Sequence, residues 1–510
     1  TELELRNLNR IGHWALGGAL LEDDLYTDEP TEEDEDTPSR RKRWLGTLQH
    51  KGNVFGVSTA IDYTKVGDND FFDDLSADSL ETKRAVHLNQ QATLAYRTTN
   101  WQTELTAQQH QTLDEFIAEQ YQLMPSLSIE KNTGGANFEP ELIFATEVTD
   151  FDHDQSIDKG GEFDTGQRQY MEAGLSYPMQ WIAGFITPTA KVRSLNYQLD
   201  EVKNDADDTP AATVPLASLD MGLFFERTMA FNSSSYTQTL EPRAYYLYSD
   251  FEDQSDSPNF DSNELAFSYS QLYRDTRFSG RDRLDDANQV SVGLTSRFID
   301  DKEGREQLSL SIGQIFYLAD RRVQLNALSP DDELSNSLIA TDIQYQPIER
   351  LWFTNSMLWD SRRDILDEGS IGINYRTQGN SLYNLGHSYR REEGDRIVNG
   401  KRTDLSQTNA SFALPINDQW RVFAQYLYDV EGNNSIDQLV GLQYEDCCWL
   451  VRLIYQENQG DDSLDPNTNT LVPNTDYAFM LEFQLKGFGG GSSKSINLLK
   501  ESILGYEYLD

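Results

Sequence analysis

The segment 235–299 reads SYTQTLEPRAYYLY (235–248), SDFEDQSDSPNFDSNELAFSYSQLYRDTRFSGRDRLDDA (249–287) and NQVSVGLTSRFI (288–299), and it decides the fold. Apolar residues recur at every second position at both of its ends: Leu240, Ala244, Tyr246 and Tyr248 in the first part, and Val290, Val292, Leu294 and Phe298 in the last. This period of two predicts two β-strands. The connection between them has about 38 residues, against ~2–5 in an ordinary hairpin loop.

This long connection carries many aromatic side chains among its acids and arginines. Such a composition differs from that of a flexible linker, so the connection is predicted to pack against other parts of the chain. A long, partly apolar loop at one end of a hairpin is how a large barrel can fill its own lumen. The sequence therefore favours a loop that folds inward.

Short turns and long acidic connections alternate along nearly the whole chain. Three of the short turns contain proline and lead to a tryptophan, in YPMQW (177–181), QPIERLW (346–352) and LPINDQW (414–420). Short turns on one rim and long loops on the other are typical of an outer-membrane barrel, where tryptophan belongs to the aromatic girdle. A Greek-key sandwich would not keep this alternation.

Individual strands have one apolar and one polar face. In Trp420–Asp429, the residues Val422, Ala424 and Tyr426 alternate with Arg421 and Gln425. Because backbone polar groups need internal partners in hydrocarbon, such strands must close into a ring. The fold class predicted is all-β, a large antiparallel transmembrane β-barrel of the bacterial outer membrane.

About 23 strands can be counted in the sequence, each near the ~9–11 residues that a tilted spanning strand needs. The first, 2–8, and the last, 476–486, both run from the long-loop rim to the short-turn rim. They would then be parallel, whereas bacterial barrels are normally even and antiparallel. The expectation is that the chain begins inside the barrel.

The composition of the chain argues against two classes of protein, nucleic-acid binders and helical membrane proteins. The net charge of −43 argues against a nucleic-acid partner, because such partners select basic patches. The longest apolar run has about eight residues, against the ~18 that a spanning helix needs. The acids concentrate in predicted loops, at 22–36, 68–78, 150–164 and 200–208. Solvated loops explain them, and a surface bridged to anionic lipids by divalent cations is the alternative.

Several segments resemble the LptD family, the outer-membrane lipopolysaccharide-assembly or organic-solvent-tolerance proteins. They are TQTLEPRAYYLY, RDTRFSGRDRLDDANQVSVGLTSRF, SLSIGQIFYL, the cysteine pair in YEDCCW and the ending INLLKESIL. The resemblance implies a 26-stranded barrel preceded by a periplasmic jellyroll domain. Residues 1–487 would then be the barrel, without its first three strands and the jellyroll, and 488–510 a C-terminal tail.

The resemblance also implies a function and partners. The barrel would receive lipopolysaccharide from the periplasmic Lpt bridge, which engages the absent N-terminal domain, and insert it among the outer-membrane lipids. The lipoprotein LptE would plug the lumen. Loop residues expected near the lumen or plug are Phe260, Phe267, Tyr269, Tyr273, Arg274, Asp275, Arg277, Phe278, Arg281 and Arg283. One wall of the lateral gate would be the last strand, with Tyr477, Phe479, Leu481, Phe483 and Leu485.

The only two cysteines are the neighbours Cys447 and Cys448. Adjacent Cα atoms lie ~3.8 Å apart, whereas a disulfide prefers ~4.4–6.8 Å, so the two are not expected to bond to each other. The alternation of turns places them on the periplasmic rim, in an oxidising compartment. In the family this pair forms disulfides with cysteines near the mature N-terminus; two free thiols without a role are the alternative.

No catalytic, cofactor or metal site is predicted. The six histidines are scattered, and the motifs HExxH, GxSxG and CxxC do not occur. Two other readings remain open. A porin or receptor barrel that passes small solutes is the main one, and it should conduct ions as purified. A secreted soluble β-protein is the other, and it would need no detergent for extraction.

Overall fold

The computed structural model describes residues 2–24, 41–69, 71–74, 86–113, 119–131, 134, 136–153, 163–201, 207–231, 234–325, 333–391, 397–398, 401–402, 404–459, 463–464, 471–472, 475–486 and 494–506. Within these ranges, 25 strands form one sheet, and two two-stranded ribbons lie outside it.

The strands follow one another around the sheet in chain order. They are β1 (Glu2–Asn9), β2 (Gly12–Asp24), β3 (Arg41–Val54), β4 (Val57–Val66), β5 (His87–Arg97), β6 (Trp101–Thr112), β7 (Gln122–Lys131), β8 (Glu141–Asp152), β9 (Thr165–Ser176), β10 (Met179–Trp181), β11 (Gly184–Glu201), β12 (Ala211–Leu223), β13 (Phe225–Phe231), β14 (Ser234–Ser249), β15 (Ala287–Asp300), β16 (Glu306–Tyr317), β17 (Ile339–Ile348), β18 (Leu351–Asp360), β19 (Ile365–Arg376), β20 (Leu382–Arg390), β21 (Ile397–Val398), β22 (Lys401–Arg402), β23 (Leu405–Pro415), β24 (Trp420–Asp429), β25 (Asn434–Glu445), β26 (Trp449–Gln459), β27 (Ser463–Leu464), β28 (Leu471–Val472) and β29 (Thr475–Leu485). The ribbons are β21–β22 and β27–β28.

Two of the spanning strands are interrupted. β9 and β10 pair with β11 in one continuous register across Pro178, which has no N–H to give to the ladder. β12 and β13 likewise share one register with β14. Counting each of these pairs as one strand leaves 23 spanning strands among the described residues, which is the number predicted.

Most connections alternate in length as the sequence indicates, but 361–364 and 430–433 are four-residue turns on the rim where long loops are predicted. Residues 10–11, 55–56, 349–350 and 446–448 close short turns on one rim. Residues 250–286 and 318–338 form long connections on the other rim. Every spanning strand is antiparallel to its neighbours, so each short turn is followed by a return across the sheet. The all-β antiparallel fold is therefore confirmed.

Side chains alternate between the two faces of the sheet. In β14, Tyr246 and Tyr248 are exposed, whereas Tyr245 and Leu247 are buried. The exposed parity faces outward, where lipid replaces water, and the buried or polar parity faces the lumen. The three turn-associated tryptophans, Trp181, Trp352 and Trp420, are all among the exposed apolar side chains at the short-turn rim.

The strands β1 and β29 end the sheet. Among the described residues, β1 pairs only with β2, and β29 pairs only with β26. Both run toward the short-turn rim, as the sequence indicates.

Helical structure is sparse. A short helix spans Phe71–Asp74, a 3₁₀ turn spans Tyr269–Tyr273, and a helix spans Lys494–Ser502. In the described part of the chain, none of the helices has the length and apolar character that a membrane crossing requires.

Candidate functional site

The loop 250–286 lies on the inward face of the sheet. The Tyr269 hydroxyl lies 2.9 Å from the Thr295 hydroxyl of β15. Leu272, fully buried, packs at Gly313 of β16, and Tyr273 packs at Gly293 of β15. These two glycines are paired across the two strands. A side chain at either position would collide with the loop, so the glycines provide the close approach that docking needs.

Aromatic packing holds the first half of the loop. Phe260 stacks on Phe151 of β8 with ring centroids 4.3 Å apart, and Tyr121 lies edge-on at 4.9 Å. Leu284 from the loop and Leu195 from β11 belong to the same buried cluster. Each such burial contributes ~1.5–3 kcal/mol, so this cluster contributes a large part of the docking free energy.

A buried ion cluster lies beside these rings. The Arg168 side chain, on β9, is 1% exposed and donates to three carboxylates. Two belong to the loop: Asp261 accepts at 2.7 Å from both terminal nitrogens, and Asp282 accepts at 2.6 Å. The third, Glu147 on β8, accepts at 2.8 Å. One guanidinium therefore joins two distant points of the loop to the barrel wall.

Burial and Arg168 both shift the pKa values of the two loop carboxylates in this cluster. Burial opposes ionisation of Asp261, but the hydrogen bonds and charge of Arg168 outweigh it and lower the pKa of Asp261. Burial raises the pKa of Asp282, and Arg168 offsets part of that rise. Asp282 also accepts the backbone N–H groups of Phe260 and Asp261, at 3.0 and 2.8 Å. The donors on both its oxygens favour the carboxylate form.

Three further ion pairs fasten the loop to inward side chains. Arg281 donates to Glu130 of β7 at 2.6 Å and lies 3.1 Å from Glu147 of β8. Asp275 pairs with Lys191 of β11. Burial opposes ionisation of Asp275, but the Lys191 charge prevails and lowers its pKa.

The end of the loop also contacts the next long connection. Arg277 donates to Asp285 at 2.9 Å and to the Val323 carbonyl at 2.9 Å. Arg283 donates to the Gln324 carbonyl at 3.0 Å. The described part of the next connection therefore lies against the loop at Val323 and Gln324.

All ten predicted loop residues lie in this ordered segment. Phe260 and Phe278 are buried, the two tyrosines meet β15, and Asp275, Arg277, Arg281 and Arg283 make the polar contacts above. Phe267 and Arg274 line a cavity instead. Sequence reasoning missed Arg168 and Glu147, because nothing local marks them. Gly293 and Gly313 could have indicated the docking position, because glycine inside a strand often marks a close approach by another part of the chain.

The cysteine pair lies in the short turn between β25 and β26. Both thiols are free and exposed. Asp446 N–H donates to the Trp449 carbonyl at 2.9 Å and closes the turn. The hydrogen bond and the charge of the neighbouring Cys448 thiol raise the pKa of Cys447.

The strand β29 presents one row of large apolar side chains outward. Their exposed fractions run from 51% to 79%, the highest being that of Phe479. The row is Tyr477, Phe479, Leu481, Phe483 and Leu485. Such exposure follows from having a neighbouring strand on one side only among the described residues.

The predicted tail contains a helix that packs into the barrel. Leu499, Ile503 and Tyr506 are fully buried. They pack on inward side chains of the last strands, Leu382, Ala413, Phe423, Leu439 and Ile454. Arg452 of β26 donates to Glu482 of β29 at 2.8 Å and contacts Ser495 of the helix. The helix therefore lies on the inward face of the last strands, beside β29.

Within the ranges given above, no three His, Cys, Asp or Glu side chains converge in a way that could hold a metal ion. The acidic stretches 22–36, 68–78, 150–164 and 200–208, for which cation bridging was the alternative to solvated loops, lie partly outside the described residues, at 25–36, 70, 75–78, 154–162 and 202–206.

A sheet of antiparallel spanning strands, apolar outside and polar inside, with a loop folded onto its inner face, defines a bacterial outer-membrane β-barrel protein. The family model LptD, LPS transport system D, matches residues 41–420. The chain belongs to this family.

Curated relatives agree with this assignment. The chain is 36% identical over 491 residues to the LPS-assembly protein LptD of Saccharophagus degradans, covering 92% of this chain and 56% of the relative. It is 32% identical over 513 residues to that of Alcanivorax borkumensis, covering 99% and 63%. The chain thus spans about three fifths of these relatives. Among solved structures, the copper transporter OprC covers 94% of this chain and 78% of its own, at 10% identity and a TM-score of 0.36.

Proposed function

We propose that this chain is the barrel through which lipopolysaccharide enters the outer leaflet of the outer membrane. The observation that carries the proposal is the family match over 41–420. The chemistry is transfer without bond making or breaking, so the barrel acts as a translocon rather than an enzyme. We propose that the periplasmic Lpt bridge delivers lipopolysaccharide to this barrel.

The loop and the helix that pack on the inward face support the proposal over an open solute pore. The loop 250–286 is fastened to the wall by Arg168 and by Arg281, and the helix Lys494–Ser502 packs near the other end. A pore for small solutes needs an open path, whereas a translocon that releases its lipid sideways does not. We propose that the lipoprotein LptE occupies the remaining lumen and contacts the layer that the loop forms.

Lateral release needs a seam in the barrel wall. β29 offers one, because its pairing partner on one side is β26 and its outward row is apolar. We propose that lipid A slides along this row while the saccharide stays on the polar inner side. Tyr477, Phe479, Leu481, Phe483 and Leu485 would form this gate wall.

The proposed function is tested by depleting the protein from growing cells. Newly made lipopolysaccharide, pulse-labelled and probed with a surface-restricted reagent, should stop reaching the cell surface. Uptake of small solutes should be unchanged over the same interval. Continued surface delivery together with impaired solute uptake would favour a porin and reject the translocon.

The cysteines give a second prediction. Cys447 and Cys448 are the only cysteines of these 510 residues, and adjacent Cα atoms lie too close for a favourable mutual disulfide. We therefore propose that a disulfide at this exposed turn reaches a cysteine outside these residues. Non-reducing gels of the full-length protein from the outer membrane should show a mobility shift relative to reduced samples. The Cys447→Ser plus Cys448→Ser variant should lose that shift. An identical shift in the double variant would show that this turn takes no part in disulfide bonding.

A further inference from the structure

A cavity of about 310 Å³ lies between the loop, the inner wall and the neighbouring rim turns. Its wall includes Phe267 and Arg274 from the loop, Gln289 of β15, Ile315 of β16 and Arg362 of the turn after β18. Ligand pockets in proteins begin at about 300 Å³, so the space suits a ligand of the size of one sugar unit.

The charge of this cavity is opposite to that of the chain. Lys and Arg total 42 against 85 Asp and Glu overall. Among the residues that the structure describes, six arginines and four carboxylates line the cavity: Arg274, Arg277, Arg321, Arg362, Arg363 and Arg391 with Glu264, Asp285, Asp360 and Asp367. A local excess of cations in a strongly acidic protein concentrates positive potential at one place.

Arg274 and Arg362, two of the arginines at the cavity, are exposed. Asp360, 2% exposed, is shared by Arg362 at 3.2 Å and Arg363 at 3.7 Å. Among the described residues, Arg274 has no carboxylate within ion-pair distance, and it is exposed. A guanidinium has five N–H donors in a planar fork that matches phosphate oxygens.

Apolar side chains complete the lining. Phe267, Ile315 and Leu338 face the same space as the arginines. Guanidinium groups recognise the phosphate, and apolar surface packs on the C–H faces of a sugar ring. A site for inorganic phosphate alone would not need that surface.

We propose that this cavity binds a phosphorylated saccharide, and that it receives such a group of the lipopolysaccharide as it passes the loop layer. The choice of ligand rests on the proposed function. The binding itself does not, because it follows from the cavity's charge, size and lining. In this proposal the cavity is a binding site along the transport path, on the long-loop side of the barrel.

Calorimetric titration of the protein purified from outer membranes in neutral detergent tests the site. Low ionic strength is used because salt screens exposed charges. Glucose 6-phosphate should bind saturably, more tightly than inorganic phosphate, and glucose should show no binding. Arg274→Gln plus Arg362→Gln should weaken glucose 6-phosphate at least about tenfold, because hydrogen bonds to charged groups each contribute about that factor.

The matched control is Arg97→Gln plus Arg227→Gln. It removes the same number of charges at exposed positions where Arg97 pairs with Glu104 and Arg227 bonds to Gln238. Retained affinity in this control supports the site. Absence of saturable binding in the unaltered protein, equal affinity for phosphate and glucose 6-phosphate, or equal weakening in the control overturns it. The surface-delivery assay described above measures lipopolysaccharide transport independently of this titration. A negative titration would therefore reject the site and leave the proposed function unaffected.

Discussion

Replacing Arg168 by leucine is expected to release the loop 250–286 from the barrel wall while the barrel itself stays folded. The change removes the only guanidinium that joins Glu147, Asp261 and Asp282 in the described part of the chain. It leaves the fully buried carboxylate of Asp282 without its cationic partner, whereas Glu147 keeps Arg281. Removing one member of a buried ion pair costs about 3–5 kcal/mol. The open population of the loop should therefore rise roughly a hundredfold or more.

Hydrogen–deuterium exchange measures this opening. Amides of 254–286 should exchange faster in Arg168→Leu, whereas those of the strands opposite, such as β19 and β20, should not. Arg168→Lys should give an intermediate result, because lysine keeps the charge but lacks the planar fork that serves three carboxylates. Arg97→Leu is the matched control, since Arg97 pairs with Glu104 at the exposed surface.

The same variant tests what the docked loop does. If LptE binds the docked loop, less lipoprotein should co-purify with the Arg168→Leu variant, and cells should become sensitive to large antibiotics. Deleting 260–281 should have a stronger effect of the same kind. If the loop amides exchange faster but the complex and the antibiotic barrier stay intact, loop docking and lipoprotein binding are separate. The loop would then not be the surface that binds LptE.

Local chemistry explains which parts of this fold the sequence predicts. Strands with alternating faces, such as Trp420–Asp429, are visible because period two is a property of neighbouring residues. Turns are visible because proline and glycine mark them. The length and composition of the segment 250–286 also predict that it packs, since its aromatic residues would otherwise face water.

The docking partners of the loop were not predictable in the same way. Arg168 is 93 residues from Asp261 and 114 from Asp282, so their contact depends on the order of strands around the sheet. No local pattern distinguishes Arg168 from an exposed arginine in a strand. The pair Gly293 and Gly313 carries more information, because glycine weakens a strand unless something approaches it closely.

The C-terminal segment was only partly understood from its sequence. Residues 488–510 were predicted only as a C-terminal tail, and the structure adds that the segment 494–506 packs on the inward face of the last strands. Ile496, Leu499, Ile503 and Tyr506 recur at spacings of three and four, which is typical of an amphipathic helix. This apolar face can be recognised in the sequence. The surface on which it packs cannot, because that surface is assembled from five different strands.

Placing aspartate at both Leu499 and Ile503 is expected to detach this segment. Both side chains are fully buried, and each contributes ~1.5–3 kcal/mol. Two unpaired charges cannot remain in that cluster, so undocking is favoured over burial. Amides of 494–506 should exchange rapidly, and the barrel should unfold at a lower temperature in heat-modifiability gels. Phe423, Leu439 and Ile454 would then face the lumen.

The control for this prediction lies in the same segment. Leu504 is 62% exposed, so Leu504→Asp adds a charge of the same kind without disturbing the cluster. Its exchange and unfolding temperature should match those of the unaltered protein. Because Arg452 links β26, β29 and the helix at Ser495, undocking should also loosen β29 and impair the antibiotic barrier. Slow exchange of 494–506 in the double aspartate variant would show that the apolar contacts do not hold the helix. Rapid exchange with β29 unchanged would show that the helix fills the lumen without bracing the seam.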